Sequence, residues 1–444
     1  MRKIIFLLLL VALVIAGALI QRQTSRSSPK AASKSPRTLT PLEMALIPQQ
    51  GEDASDREIR ALQDKIRQGQ QPAALLEQLG WAFIAKARLS SDPGFYDLAE
   101  QSARALLDKA PKSPAGLLLL GHIYDAEHRF AAAEKIARQL TAEREFVFDY
   151  ALLGDALMEQ GKLEEAVIAY QKMVDLKPCL QTYSRVAYMR WLKGDLLGAI
   201  GAAGFAVSAG GPREPEATAW AHTRLAFYQI QAGDYTHAEN GVDRALQLAP
   251  NYAPALLMRG RLLLARGRVT DSLEPLREAA KISPLPDYLW TLSEALHAGG
   301  QTDEAAGVDA KLEKSGQAGD PRTFALFLSS RRDKPELALR LATAELETRK
   351  DVFTYDALAW AELANGQVEQ ARENSQRALA EGTQDARLFY HAGVIAASVH
   401  DTAGALKFLN QARAIEQTLL PSERTALGQT TASLLAATPQ FSSQ

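Results

Sequence analysis

The sequence predicts an all-α solenoid of stacked helix–turn–helix repeats with a capping helix at each end. Three observations predict it. Alanine and leucine are plentiful and aromatic residues are only 7% of the chain, which favours helix over strand. Apolar residues recur at the 3–4 spacing of a helix face. One frame of small and apolar residues returns along most of the 444 residues at intervals of 33 or 34.

The first element is an address and not part of the fold. Arg2 and Lys3 precede an unbroken apolar run from Ile4 to Ile20, the pattern of a secretory signal, with Ala16-Gly17-Ala18 as a small-x-small cleavage site. The run of 17 residues also meets the lower limit for spanning a bilayer, so residues 1–20 read as a cleaved signal or an uncleaved anchor. No cysteine follows the run, which excludes a lipoprotein anchor. Residues 21–54 read as a flexible basic linker and lead-in, rich in Ser, Lys, Arg and Pro up to about Thr40 and too poor in large apolar residues to order itself. Residues 55–72 read as an N-terminal capping helix, with Ile59, Leu62 and Ile66 on one face.

The repeats occupy 73–419. In a unit starting at Val147, Tyr150, Ala151, Leu152, Leu153 and Gly154 hold positions 4 to 8, and Leu157, Gly161, Ala166, Tyr170 and Pro178 hold positions 11, 15, 20, 24 and 32. Positions 4, 7, 8 and 11 share one face of a first helix; positions 20, 24 and 27 form the matching face of a second. Position 8 is small so that the second helix can approach. Glycine at 15 ends the first helix and proline near 32 stops the second. Units in this frame start at 114, 147, 180, 219, 253, 286, 319, 352 and 386, with one longer step at Ala209-Gly210-Gly211-Pro212. An earlier divergent unit starts near Ala73, with a longer loop expected at about Ser90 to Phe95. One unit cannot bury its own apolar face, so the units must stack. Residues 420–444 read as a C-terminal capping helix, with Leu427 and Leu434 inward, and a frayed tail.

This frame resembles the tetratricopeptide repeat, a 34-residue helix–turn–helix unit. The resemblance implies a right-handed superhelical solenoid of about nine to ten repeats whose first helices line a concave groove. It also implies that groove residues lie near positions 2, 5, 6, 9, 12 and 13. On that register Trp81, Tyr188, Phe227, Trp360 and Arg261 stand at position 9, Trp191 at 12, Trp220 at 2, Trp290 at 5, and Arg185 and Arg224 at 6. Exposed Trp, Tyr and Arg give the composition of a protein-binding hot region. Some members of the family clamp chaperone tails with Lys and Asn; the expected Asn residues are missing here.

Other function classes lack residues. The formal charge of −2 hides seven basic and no acidic residues in 1–40, which leaves −9 on the body, unsuited to nucleic acid. Cys179 is the one cysteine, so no internal disulfide and no cysteine-pair zinc site can form. No two of the seven histidines stand three or four apart. There is no Gly-rich phosphate loop, no Gly-x-Ser-x-Gly elbow and no Cys–His couple. The expectation is a protein-binding scaffold, not an enzyme, without cofactor or metal. Its partners would be other proteins and, through the N-terminal segment, a membrane. It would sit in the cell envelope, as a periplasmic body on the inner membrane or released after signal cleavage. A cytosol-facing, membrane-tethered regulator using the same groove is the alternative, and an enzyme or small-molecule binder the third reading.

Overall fold

A computed structural model of the chain describes residues 39–70 and 72–437. The apolar run, the linker up to residue 38 and the last seven residues of the expected tail lie outside the described residues. Within them the fold is all-helical, with 23 α-helices and no strand.

The lead-in is ordered from Leu39. A short helix α1 (Pro41–Ala45) starts at Thr40, whose hydroxyl accepts from Glu43 N while Glu43 returns a bond to Thr40 N. Helix α2 (Ala54–Arg67) buries Ile59, Leu62 and Ile66. Gln63 ties the two together, donating from Nε2 to the carbonyls of Ala45 and Ile47. Ten helix pairs follow. They are α3 (Pro72–Ser90) with α4 (Gly94–Lys109), α5 (Pro114–Ala126) with α6 (Phe130–Glu143), α7 (Val147–Glu159) with α8 (Leu163–Leu176), and α9 (Leu180–Leu192) with α10 (Leu196–Ala209). Next come α11 (Pro215–Gln231) with α12 (Tyr235–Leu248), α13 (Ala253–Ala265) with α14 (Val269–Ile282), and α15 (Pro286–Ala298) with α16 (Thr302–Gly319). Last are α17 (Pro321–Arg331) with α18 (Pro335–Thr348), α19 (Val352–Ala364) with α20 (Val368–Ala378), and α21 (Ala386–Ser398) with α22 (Thr402–Ala414). A 3₁₀ turn (Glu416–Thr418) leads to α23 (Pro421–Ala437), which buries Leu427.

The first pair corrects the expected long loop at Ser90 to Phe95. The extra residues lengthen the helices instead, and the link is only residues 91–93. Each turn between paired helices holds at least one residue with a left-handed backbone. Glycine supplies it at Gly161, Gly194, Gly233, Gly267, Gly300 and Gly366, with φ of 71–81°. His128 (φ 58°) and His400 (φ 62°) stand at the same position without that freedom.

Small residues at position 8 let the helices touch. A methyl group on Gly80 or Gly121 would run into Leu119 or Leu152 of the next first helix, and one on Gly154 into the Tyr170 ring of its own pair. The Tyr170 ring is buried and its hydroxyl donates to Asp155 Oδ1 at 2.7 Å, so it cannot swing aside without losing that bond.

The array also closes across its own axis. Lys350 N donates to the carbonyl of Glu159 at 2.8 Å, and the Arg349 guanidinium pairs with the Glu159 carboxylate. Thr383 Oγ1 donates to the Leu192 carbonyl at 2.6 Å in a buried bond. Gln231 donates to the Gln384 carbonyl, and Gln417 Nε2 to the Gln231 carbonyl at 2.7 Å. Ser422 N donates to Glu294 Oε2 at 3.0 Å. At the other end, Arg88 pairs with Glu216 and Ser91 Oγ meets Ser283 Oγ at 2.9 Å. The last three repeats therefore fill the space that the middle repeats enclose.

Two glycine substitutions separate helix propensity from packing. Replacing helical Gly by Ala gains about 1 kcal/mol in propensity, and overpacking costs about 1–3 kcal/mol. Gly201 of α10 has open space around its missing side chain, whereas Gly154 faces Tyr170. Thermal unfolding should show Gly201→Ala with a raised midpoint and Gly154→Ala with a lowered one.

Candidate protein-binding site

First helices meet across a repeated register. Position 9 of one faces position 6 of the next, as in Asp155 with Arg185, Tyr188 with Arg224, and Trp360 with His391. This register and the closure of the array decide the fate of each residue expected in the groove.

Four of them line one open pocket of about 350 Å³ on the inner faces of α7, α9 and α11. They are Arg185, Tyr188, Trp220 and Arg224, joined there by Asp155, Met158, Glu159, Tyr170 and Ser184. Arg185 grips Asp155 through two bonds, one of 2.8 Å from Nε. Burial alone would lower its pKa, but the Asp155 carboxylate carries it up. Trp220, 39% exposed, stands at the mouth. Arg224 lies over the rings of Phe227, Tyr228 and Tyr188, 5.0, 5.3 and 5.7 Å from their centroids.

Trp191 and Trp290 correct the expectation of exposed groove aromatics. They are only 4% and 2% exposed. Both belong to first helices, and the chain itself covers them. Trp191 stacks on Phe353 of the ninth pair at 5.8 Å, and its Nε1 donates to Gln231 at 2.7 Å. The Arg387 guanidinium lies 4.8 Å over the Trp290 ring, and Glu294 accepts from its Nε1. Phe227 and Arg261 line an interior cavity of about 180 Å³ between the middle repeats, the ninth and tenth pairs and the 3₁₀ turn. Arg261 is bound there to Asp287 at 2.5 Å. Trp81 is half-buried, edge-on to His122 at 5.1 Å. Trp360 is half-buried, stacked on His391 at 3.9 Å, and donates to Ser330 Oγ.

Two polar features escaped sequence reading because they join residues one or more repeats apart. Asp356 and fully buried His391 form a pair, with Nδ1 2.9 Å from the carboxylate, while His391 Nε2 is buried without a partner among the described residues. Positions 5 and 6 of adjacent repeats were the available signal. The second is an interior ionic chain in which Asp351 pairs with Arg322 at 2.8 Å, beside Arg349 and Glu159. Burial raises the Glu159 pKa against the pull of Arg349. Burial also raises Asp125 well above the usual carboxylate range, reinforced by the neighbouring Asp155 and Glu159 charges. Among the described residues no group of three or more His, Cys, Asp or Glu is placed to hold a metal ion, and no helix is long and apolar enough to cross a membrane.

The fold and this inner face define an all-helical tandem-repeat protein. Tetratricopeptide-repeat family profiles match residues 150–178 and 223–285, so the chain carries tetratricopeptide repeats, which support a protein–protein interaction scaffold. Two solved structures, titled "Crystal structure of MamA" and "Crystal structure of MamA protein", are 17% and 16% identical to it with TM-scores of 0.30. They cover 37% and 39% of this chain and 95% and 93% of their own. No curated protein matches.

Burial lowers the His122 pKa from 6.5 to about 4. The unfolded chain therefore takes up this proton first as pH falls, and stability falls with it. Relative to His122→Gln, the native protein should lose unfolding free energy between pH 6.5 and about 4 and match it in trend above that window. Urea titrations at stepped pH measure this difference.

Proposed function

We propose that the chain is an exported, membrane-tethered scaffold that takes a peptide segment or helix of a partner protein in the open pocket of α7, α9 and α11, in the service of envelope assembly. The convergence of Arg185, Tyr188, Trp220 and Arg224 in that pocket carries the reading. It is an aromatic and guanidinium surface on the inner face that stays open beside the contact of Arg349 and Lys350 with Glu159. Arg2, Lys3 and the apolar run to Ile20 support export and tethering. A cytosol-facing regulator on the same pocket is the second reading. It is favoured by the cations after the run (Arg22, Arg26, Lys30, Lys34 and Arg37), which the positive-inside rule keeps in the cytoplasm.

Two measurements test this. A reporter active only outside the cytoplasm, fused after Gln444, should be active; an inactive reporter in a stable fusion favours the cytosolic reading. A photo-crosslinking amino acid placed at Trp220 should give a discrete adduct with a second protein in cells, and the same residue at Asp271 on a second helix should not. Equal labelling from both positions would remove the pocket as the binding site.

A further inference from the structure

The interior cavity of about 180 Å³ is made by the closure of the array and belongs to no single repeat. Phe227 and Met258 line it from the middle repeats, Leu326 and Phe353 from the closing ones. Its volume suits a small organic molecule, since an engineered apolar cavity of about 150 Å³ holds benzene. Apolar walls are not its whole lining. Four ionisable side chains reach it as well, Arg261, Asp356, Asp385 and Arg387.

The cations of this lining are matched and the acids are not. Arg261 pairs with Asp287, and Arg387 with Glu423. Among the described residues, neither Asp356 nor Asp385 lies within ion-pair distance of a lysine or arginine. Asp356 is bonded to His391 Nδ1. Asp385 uses only Oδ1, which accepts from the backbone N–H groups of Arg387 and Leu388. Asp385 Oδ2 has no hydrogen-bond partner among the described residues. Burial raises the Asp385 pKa against the pull of Arg387, as expected of a carboxylate whose charge is left uncompensated. Gln417, also in the lining, offers a second acceptor. Its Nε2 donates to the carbonyls of Ile230 and Gln231, and its Oε1 has no partner among the described residues.

We infer that the cavity is a binding site for a small protonated amine with an apolar body. Its ammonium would be held by Asp385 Oδ2 and Gln417 Oε1, and its body by Phe227, Met258, Leu326 and Phe353. A buried ammonium is costly unless a counter-charge and hydrogen-bond acceptors meet it, and this lining supplies both. The site is separate from the partner pocket and does not depend on that reading. Its walls come from both sides of the closure, so a bound amine adds to the stability of the closed array.

Benzylamine, benzyl alcohol and benzoate test the assignment, because they share a ring and differ in the charge of the polar group. Each is titrated into the full chain and followed by thermal unfolding and backbone hydrogen exchange. Benzylamine should raise the unfolding midpoint saturably. It should slow exchange in residues 385–388 and 417–420, which border the cavity, and leave α8, which has no part in the lining, unchanged. Benzyl alcohol should bind about tenfold or more weakly, the loss expected with a charge-assisted pair, and benzoate should not slow exchange there. Asp385→Asn keeps a side chain that caps α21 and should bind amine and alcohol alike. The comparison of probes on the native chain leaves the protein untouched, so it stands even if the variant folds poorly. Benzoate or benzyl alcohol binding as well as benzylamine would overturn the choice of an amine. An undiminished preference for the amine in Asp385→Asn would overturn Asp385 as its anchor. No saturable effect of millimolar benzylamine, or slowed exchange spread evenly over the helices, would overturn the cavity as a ligand site.

Discussion

The close approach of helices at small residues is the constraint on which the rest of the array depends. Gly80, Gly121, Gly154, Gly260 and Gly393 each stand where a methyl group would enter a neighbouring Leu or Tyr side chain. At the same position Ala187, Ala226 and Ala359 are buried. Leu119, Leu152, Tyr170, Leu276 and Leu409 fill the contacts from the other side and are themselves buried. Side chains larger than alanine here would push the pairs apart and change the rotation from one repeat to the next. Because that rotation accumulates along a solenoid, small local spacing errors become large displacements at its ends.

The accumulated rotation brings the eighth to tenth pairs and α23 against the inner faces of the third to seventh. The contacts that seal this closure are largely hydrogen bonds to backbone carbonyls, at Glu159, Leu192, Gln231 and Gln384, with stacked aromatics such as Trp191 on Phe353 between them. A carbonyl offers its lone pairs whatever its side chain, so this seal leaves little trace in residue types. The ion pairs inside are a different case. Charges taken out of water return little net stability when paired, but removing one partner costs several kcal/mol because the other is left buried. Arg185–Asp155 and Arg322–Asp351 thus fix which first helices face each other more than they add to stability.

Helix pairs, their turns and the capping helices were legible because they follow from period and residue size. Gly154, Gly161 and Tyr170 define their places within one repeat, and no distant residue is needed to read them. The short helix at Pro41 had a local signal as well, the Thr40–Glu43 capping box with proline first. The site was legible only in part. Arg185, Tyr188, Trp220 and Arg224 share a pocket because positions 2, 6 and 9 repeat. Trp191 and Trp290 obey the same register and are nonetheless buried, since the residues that cover them, Phe353 and Arg387, lie well beyond the neighbouring repeat. The amount of inner face that stays open depends on how far the array winds. That is a sum of small rotations, and no single repeat encodes it.

The closure itself is most directly tested by zero-length carbodiimide coupling of the unmodified protein, read by peptide mass spectrometry. Lys193 Nζ lies 2.5 Å from Glu381 across the axis, and Lys162 Nζ lies 2.6 Å from Glu134 between adjacent repeats. A closed array predicts both intramolecular links. The Lys162–Glu134 link without Lys193–Glu381 would contradict it, and would show an open solenoid with Trp191 and Trp290 returned to a continuous groove.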